Sequence, residues 1–188
     1  MNLHEHFLHD VEENEIAELI TEDVLNCLTN DYEFTNVRDV KEYQHKGDIL
    51  VKNKKDGSTT FVEVKNDSRI AGREDSTGNI LCEDMVYYED KCEWKHGFMR
   101  YCNDYLAVVS RQAQKIFILD LSVLKRYYRQ GSFVSKMKVL PGQYSSVFLY
   151  PLEIAERVGA LLYEIDYFEV GDEEDHVPFD IREVEIDG

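Results

Sequence analysis

The sequence lacks any CxxC pair: its four cysteines, Cys27, Cys82, Cys92 and Cys102, stand well apart. In a chain without a secretion signal, cysteines so scattered predict reduced thiols and not a disulfide framework. It also lacks a run of roughly 18 uncharged apolar residues, the length a membrane span requires. The opening MNLHEHFLHDVEENE has neither the basic nor the apolar stretch of a signal peptide. A cytoplasmic protein is the expectation. No P-loop, Rossmann fingerprint, G-x-S-x-G or His-Glu-x-x-His occurs, so the classes those motifs mark have no support.

What is present is globular. The chain has 188 residues, 43% hydrophobic and 31% charged, which excludes disorder along its full length. That length suits one compact domain with elaborations. The formal charge of −17 is unevenly spread. Residues 1–35 carry −10, residues 36–142 carry +4, and residues 143–188 carry −11. A mildly basic centre therefore lies between two acidic ends. Such ends keep a protein soluble. They also suit a protein that repels nucleic acid except along one face, or one that mimics it.

Residues 10–29 read as an amphipathic helix, with Ile16, Ala17, Ile20, Val24, Cys27 and Leu28 on one stripe. Asp31 to Val37 reads as extended. Asp48 to Val51 and Thr59 to Val64 are β-rich runs around a polar turn containing Asp56-Gly57, which predicts an antiparallel hairpin. Residues 66–101 read as a long irregular insertion, a feature often functional in a compact domain. Tyr105 to Ser110 and Lys115 to Leu119 predict two strands, and Ser122 to Arg129 a helix. A strand near Val147 to Leu149 and a helix from Pro151 to Leu162 follow, with proline at a tolerated first-turn position. From Asp166 an acidic, partly disordered tail is expected. This order describes an α/β domain with a mixed central sheet flanked by helices. The boundaries are 1–165 for the domain and 166–188 for the tail.

The chemically informative stretch is HKGDILVKNKKDGSTTFVEVKND, residues 45–67. Glu63 and Lys65 are two apart on a strand, so their side chains share a face while Val64 points into the core. A hairpin folded at Asp56-Gly57 brings Asp48 opposite the Glu63 end. Two carboxylates supply oxygen ligands for a hard dication. A lysine beside them orients a water or balances charge on a phosphate. Metal-assisted phosphodiester hydrolysis needs that set.

Asp48, Glu63 and Lys65 in this arrangement resemble the motif of the PD-(D/E)XK nuclease superfamily, with Gly47 in place of the eponymous proline. Downstream, Glu63-Val64-Lys65-Asn66-Asp67, then Thr77-Gly78-Asn79 with Glu83, then Asp104-Tyr105, look like phage-type members. The resemblance covers about residues 10–130. It implies a restriction-endonuclease-like core and a Mg²⁺- or Mn²⁺-dependent nuclease acting on DNA. The metal ligands it implies are Asp48, Glu63 and the Val64 carbonyl, with Lys65 as a catalytic partner. Members often act as homodimers that cut both strands.

In that superfamily a helix before the motif often adds a carboxylate. At about 100° per residue, Glu13 falls at the centre of the apolar stripe, whereas Glu15, Glu18 and Glu22 fall on the solvated side. A carboxylate on a core-facing stripe is costly unless paired or metal-bound. Glu13 is therefore the expected ligand, with Glu18 in reserve. A frayed first turn, where acidic residues suit the helix dipole, is the other reading of Glu13.

Arg69, Arg73, Lys125 and Arg129 are the expected phosphate contacts. Lys52, Lys54 and Lys55 belong to the hairpin's solvated turn, and Tyr127 and Tyr128 to the core. His4, His6 and His9 mark a solvated end. Cys82, Cys92, His96 and Cys102 lack the short knuckle of structural zinc sites. The competing expectation is a non-catalytic binding protein or inhibitor that keeps the nuclease fold and mimics nucleic acid through its acidic ends.

Overall fold

The computed structural model describes residues 3–67, 69–88, 91–101, 103–129, 134–140, 143–167 and 184–185. The fold is mixed α/β, with few helices. Helix α1 (Leu3–Leu28) precedes β1 (Tyr32–Asn36), β2 (Ile49–Asn53) and β3 (Thr59–Asn66). Then come β4 (Asn79–Tyr88), β5 (Glu93–His96), β6 (Tyr105–Ser110), β7 (Lys115–Asp120) and α2 (Leu121–Arg129). The chain continues through β8 (Val134–Leu140), β9 (Gln143–Pro151), α3 (Leu152–Arg157), β10 (Leu161–Asp166) and β11 (Val184–Glu185).

One sheet has the order β1-β2-β3-β6-β7-β10-β11, and a second has the order β5-β4-β9-β8. The predicted hairpin is β2–β3, antiparallel with Ile49 opposite Val62 and Lys52 opposite Thr59. Its turn carries Gly57 at φ +73, where a glycine has no steric penalty. β3 and β6 are parallel, with Val64 beside Ala107. A parallel pair cannot be joined by a tight turn and needs a crossover. Residues 67–104 supply it.

That crossover corrects the reading of residues 66–101 as irregular. It contains β4 and β5, and β4 pairs along its length with β9. The Glu83-Asp84 pair interrupts the apolar pattern of NILCEDMVYY and hides the strand. A register shift falls between Glu83 and Met85. Buried Asp84 is met by Arg100, whose Nε and Nη2 donate to its two oxygens at 2.5 and 2.9 Å.

Two cores lie on the two faces of the larger sheet. Ala17, Ile20 and Val24 of α1 pack on Ile49, Val62, Val64, Ala107 and Val109. On the other face Leu106, Val108, Phe117 and Leu119 meet Leu121 and Leu124 of α2, with Ile80, Cys82 and Tyr150 of the second sheet. β6 and β7 bury both faces, which is why YLAVVS and KIFIL read as continuous apolar runs.

The last helix is shorter than expected. α3 stops at Arg157, Gly159 follows at φ +73, and the chain re-enters the larger sheet as β10 beside β7. The strand foreseen near Val147 is β9, which runs from Gln143 to Pro151 and is paired with β8. Beyond Asp166, Tyr167 is fully buried and β11 pairs with β10; residues 168–183 of the expected tail lie outside the described residues. Among the described residues no helix is long and apolar enough to cross a membrane.

Candidate active site

Asp48 stands where β2 gives way to the loop before it. Its backbone N–H donates to the Val62 carbonyl at 2.9 Å, and its Oδ2 accepts the Val64 N–H at 2.8 Å. The carboxylate thus occupies the place of the next carbonyl in the ladder. Gly47 makes this possible. Its φ of +147 is open to glycine, and a Cβ there would meet the Val62 oxygen at 2.9 Å and the Phe61 Cβ at 3.0 Å. Proline, with φ near −65°, does not fit this turn.

Glu63 and Lys65 project from β3 on the face they share with Leu106 and Val108 of β6. Lys65 Nζ is 2.6 Å from Glu63 Oε1 and 5.4 Å from the centroid of the buried Phe98 ring. Glu63 is 6% exposed. Its second oxygen accepts the Asn103 Nδ2 at 3.4 Å. Val64 turns the other way, into the core under α1.

Beyond the end of β2, helix α1 takes over the open edge of β3. Asn14 Oδ1 accepts the Asn66 N–H at 3.2 Å, two residues along from Asp48's bond to Val64. One turn further along α1, Glu18 feels the negative charge of Asp48. Glu18 is 4% exposed. Asn36 Nδ2 and Arg38 Nη1, from the segment after β1, each donate to it at 3.2 Å. Burial, then the Asp48 charge, push the Glu18 carboxyl up to about 7, against the pull of Arg38. Burial, then Glu63, push Asp48 up to about 6, against Lys65 and the Val64 N–H. For Lys65 burial works against the charged form, but the carboxylates of Glu63, Asp48 and Glu83 outweigh it and hold the ammonium above its usual range.

Glu18 is buried, so its assignment to the solvated side is corrected. Helical angle alone puts it off the apolar stripe; the segment carrying Asn36 and Arg38 closes over it. Glu13 lies on the stripe but one turn earlier. There Arg111 Nη1 donates to both its oxygens, at 2.9 and 2.8 Å.

The expected phosphate contacts separate. Arg69 is exposed. Arg73 is bound within its own loop, Nε to Asp75 Oδ1 at 2.7 Å. Lys125 is turned inward, donating to the carbonyls of Tyr101 and Asn103 at 2.9 and 3.2 Å and to Asn103 Oδ1 at 2.9 Å. Arg129 ends α2, and its side chain lies outside the described residues. Cys82 belongs to the core while Cys92 is exposed; Cys102 lies outside the described residues.

Composition alone does not single out Asn36, Arg38 or Asn103. Glu83 is the exception, since it already belongs to the stretch that resembles the nucleases. A signal for Asn103 is its place just before a parallel strand, where side chains reach the neighbouring strand's end.

The donor types suit Mg²⁺ or Mn²⁺: carboxylate oxygens on Glu18, Asp48 and Glu63, and the Val64 carbonyl. In an extended strand N–H and C=O of one residue leave by the same edge, so that carbonyl lies on the Asp48 side. Burial first, then neighbouring negative charge, raises Asp48 and Glu18, and a dication would offset both. Among the described residues no three His, Cys, Asp or Glu side chains are drawn together around one point. No protein-family model, curated protein or solved structure matches the chain.

Proposed function

We propose that this chain is a Mg²⁺- or Mn²⁺-dependent nuclease with a restriction-endonuclease-like core, hydrolysing phosphodiester bonds of DNA. The observation that carries the reading is the β2–β3 ribbon. It sets Asp48 on the Val64 N–H at 2.8 Å and Lys65 on Glu63 at 2.6 Å.

Asp48, Glu63 and the Val64 carbonyl would hold the ion, with Glu18, the helix carboxylate that is buried and feels the Asp48 charge, completing the set. When bound, the ion lowers the pKa of a water and polarises the scissile phosphate. The carboxylates around Lys65 favour its charged form, which suits it to a positioning and not a proton-accepting role. Its ammonium orients that water and offsets the charge that builds on the five-coordinate phosphorus. The proton leaves to a carboxylate or to solvent. Phe98 under Lys65 keeps the ammonium aimed without competing for its hydrogens.

The test is cleavage of supercoiled and branched DNA with Mg²⁺ or Mn²⁺. Wild type should cut, and Asp48→Ala and Lys65→Ala should not. Glu18→Gln should cost far more activity than Glu13→Gln. Cleavage that survives both Asp48→Ala and Lys65→Ala removes the assignment. Wild type that neither cuts nor binds Mn²⁺ leaves the non-catalytic binding protein.

A further inference from the structure

Lys125 lies on α2, which packs on the Leu106 and Val108 face of the larger sheet. Its ammonium meets three acceptors: the carbonyls of Tyr101 and Asn103, and Asn103 Oδ1. Asn103 is 5% exposed, and its amide nitrogen donates to Glu63 Oε2 at 3.4 Å. Glu63 Oε1 is held by Lys65 at 2.6 Å.

The chemistry at the two ends of this bridge agrees. An ammonium only donates and an ionised carboxylate only accepts. The Asn103 amide can satisfy both in one orientation alone, oxygen toward Lys125 and nitrogen toward Glu63. A cation on the oxygen also polarises the amide and strengthens its N–H as a donor. We propose that Lys125 is a positioning residue that sets the Glu63 carboxylate through the Asn103 amide. Its effect on the chemistry rests on the nuclease reading; the bridge itself does not. Glu63 is then gripped from both sides, by Lys65 along its own strand and by α2 through Asn103. A carboxylate pinned at both oxygens presents a fixed plane to whatever binds it. Ligand-orienting residues of this kind typically contribute roughly 10–100-fold in metal affinity or activity.

The experiment follows the Asn103 side-chain amide by NMR in the full chain, without metal or DNA. In wild type one Hδ2 proton should stand downfield, as for a donor to a carboxylate. Lys125→Met should abolish that displacement while the chain still unfolds cooperatively, and Lys125→Arg should restore it in part. Should Lys125→Met fail to fold, Glu63→Gln in the Lys125 chain probes the same bridge from its other end and must move the Asn103 resonance. Amide shifts unchanged in Lys125→Met, or in Glu63→Gln, overturn the proposal. Cleavage assays alongside should show a roughly 10–100-fold loss in Lys125→Met. Wild type without cleavage but with the amide signature sinks the nuclease reading and leaves the bridge standing. Cleavage without the signature does the reverse.

Discussion

The Asp48 carboxylate accepts the Val64 N–H at 2.8 Å, so an acidic side chain finishes a β-ladder that the backbone has left. This one bond couples the site to the fold. It places the acid beside the Glu63-Lys65 pair and satisfies a backbone donor whose residue is 2% exposed. Asp48→Asn keeps an acceptor there and removes a charge that Glu63 opposes, whereas Asp48→Ala leaves a buried donor unpaired. In urea titrations of the metal-free protein near pH 8, Asp48→Asn should be at least as stable as wild type. Asp48→Ala should fall below Asp48→Asn by about 1–3 kcal/mol.

Gly47 sets the approach to that bond. Gly47→Ala must place a Cβ against the Val62 oxygen and hold φ at +147. It should lower stability by about 1–3 kcal/mol. Gly47→Pro should be worse, because proline cannot reach this φ. A Gly47→Pro protein with the wild-type unfolding midpoint would show that the turn is built otherwise.

The acidic pair dictates a pH response. Glu18 sits at about 7 and Asp48 at about 6, above their ordinary 4.5 and 3.8. The folded protein therefore keeps protons that the unfolded chain has released. The contribution of these groups is fully present below the ordinary values and is lost as pH rises through the folded ones. Between about pH 4 and pH 7 the two together should lower the melting temperature of the metal-free protein as pH rises. The comparison is with Glu18→Gln/Asp48→Asn, whose melting temperature should depend less on pH. A double variant that declines as steeply as wild type refutes the attribution.

Lys65 and Glu63 should behave as a unit. Lys65→Met leaves Glu63 Oε1 without its ammonium, a loss of about 1–3 kcal/mol. The value is held down because the Lys65 side chain is 32% exposed. Glu63→Gln beside Lys65→Met should cost less than the sum of the two, by about 0.5–3 kcal/mol. Denaturant titrations of the four proteins give the coupling, and strict additivity would contradict the 2.6 Å contact.

Thiol chemistry reads the second sheet. Cys82 is fully buried, and burial, then the Glu83 charge, push its thiol up to about 12. Cys27 and Cys92 are exposed. Alkylation of the native protein at pH 8, followed by peptide mass mapping, should label Cys27 and Cys92 and spare Cys82 until denaturant is added. Early labelling of Cys82 would mean that β4 is not packed against the larger sheet.

Local pattern carried a good deal of this architecture. The Asp56-Gly57 turn between β-rich runs determined the hairpin, and period-two alternation put Glu63 and Lys65 on one face and Val64 on the other. Both follow from geometry within a few residues of chain, where steric preference dominates. Four features needed the tertiary structure. β4 is masked by Glu83-Asp84 because the cation that stabilises Asp84, Arg100, comes from a later segment. β10 is hidden behind Gly159, since only the docking of the chain against β7 distinguishes a strand from a longer helix. Lys125 reads as a surface cation until Asn103 is seen beneath it. The burial of Glu18 came from Asn36 and Arg38 closing over it, and Glu13 was met by Arg111. Burial of a carboxylate depends on which distant groups close over it, and helical angle records only which way it leaves its own axis.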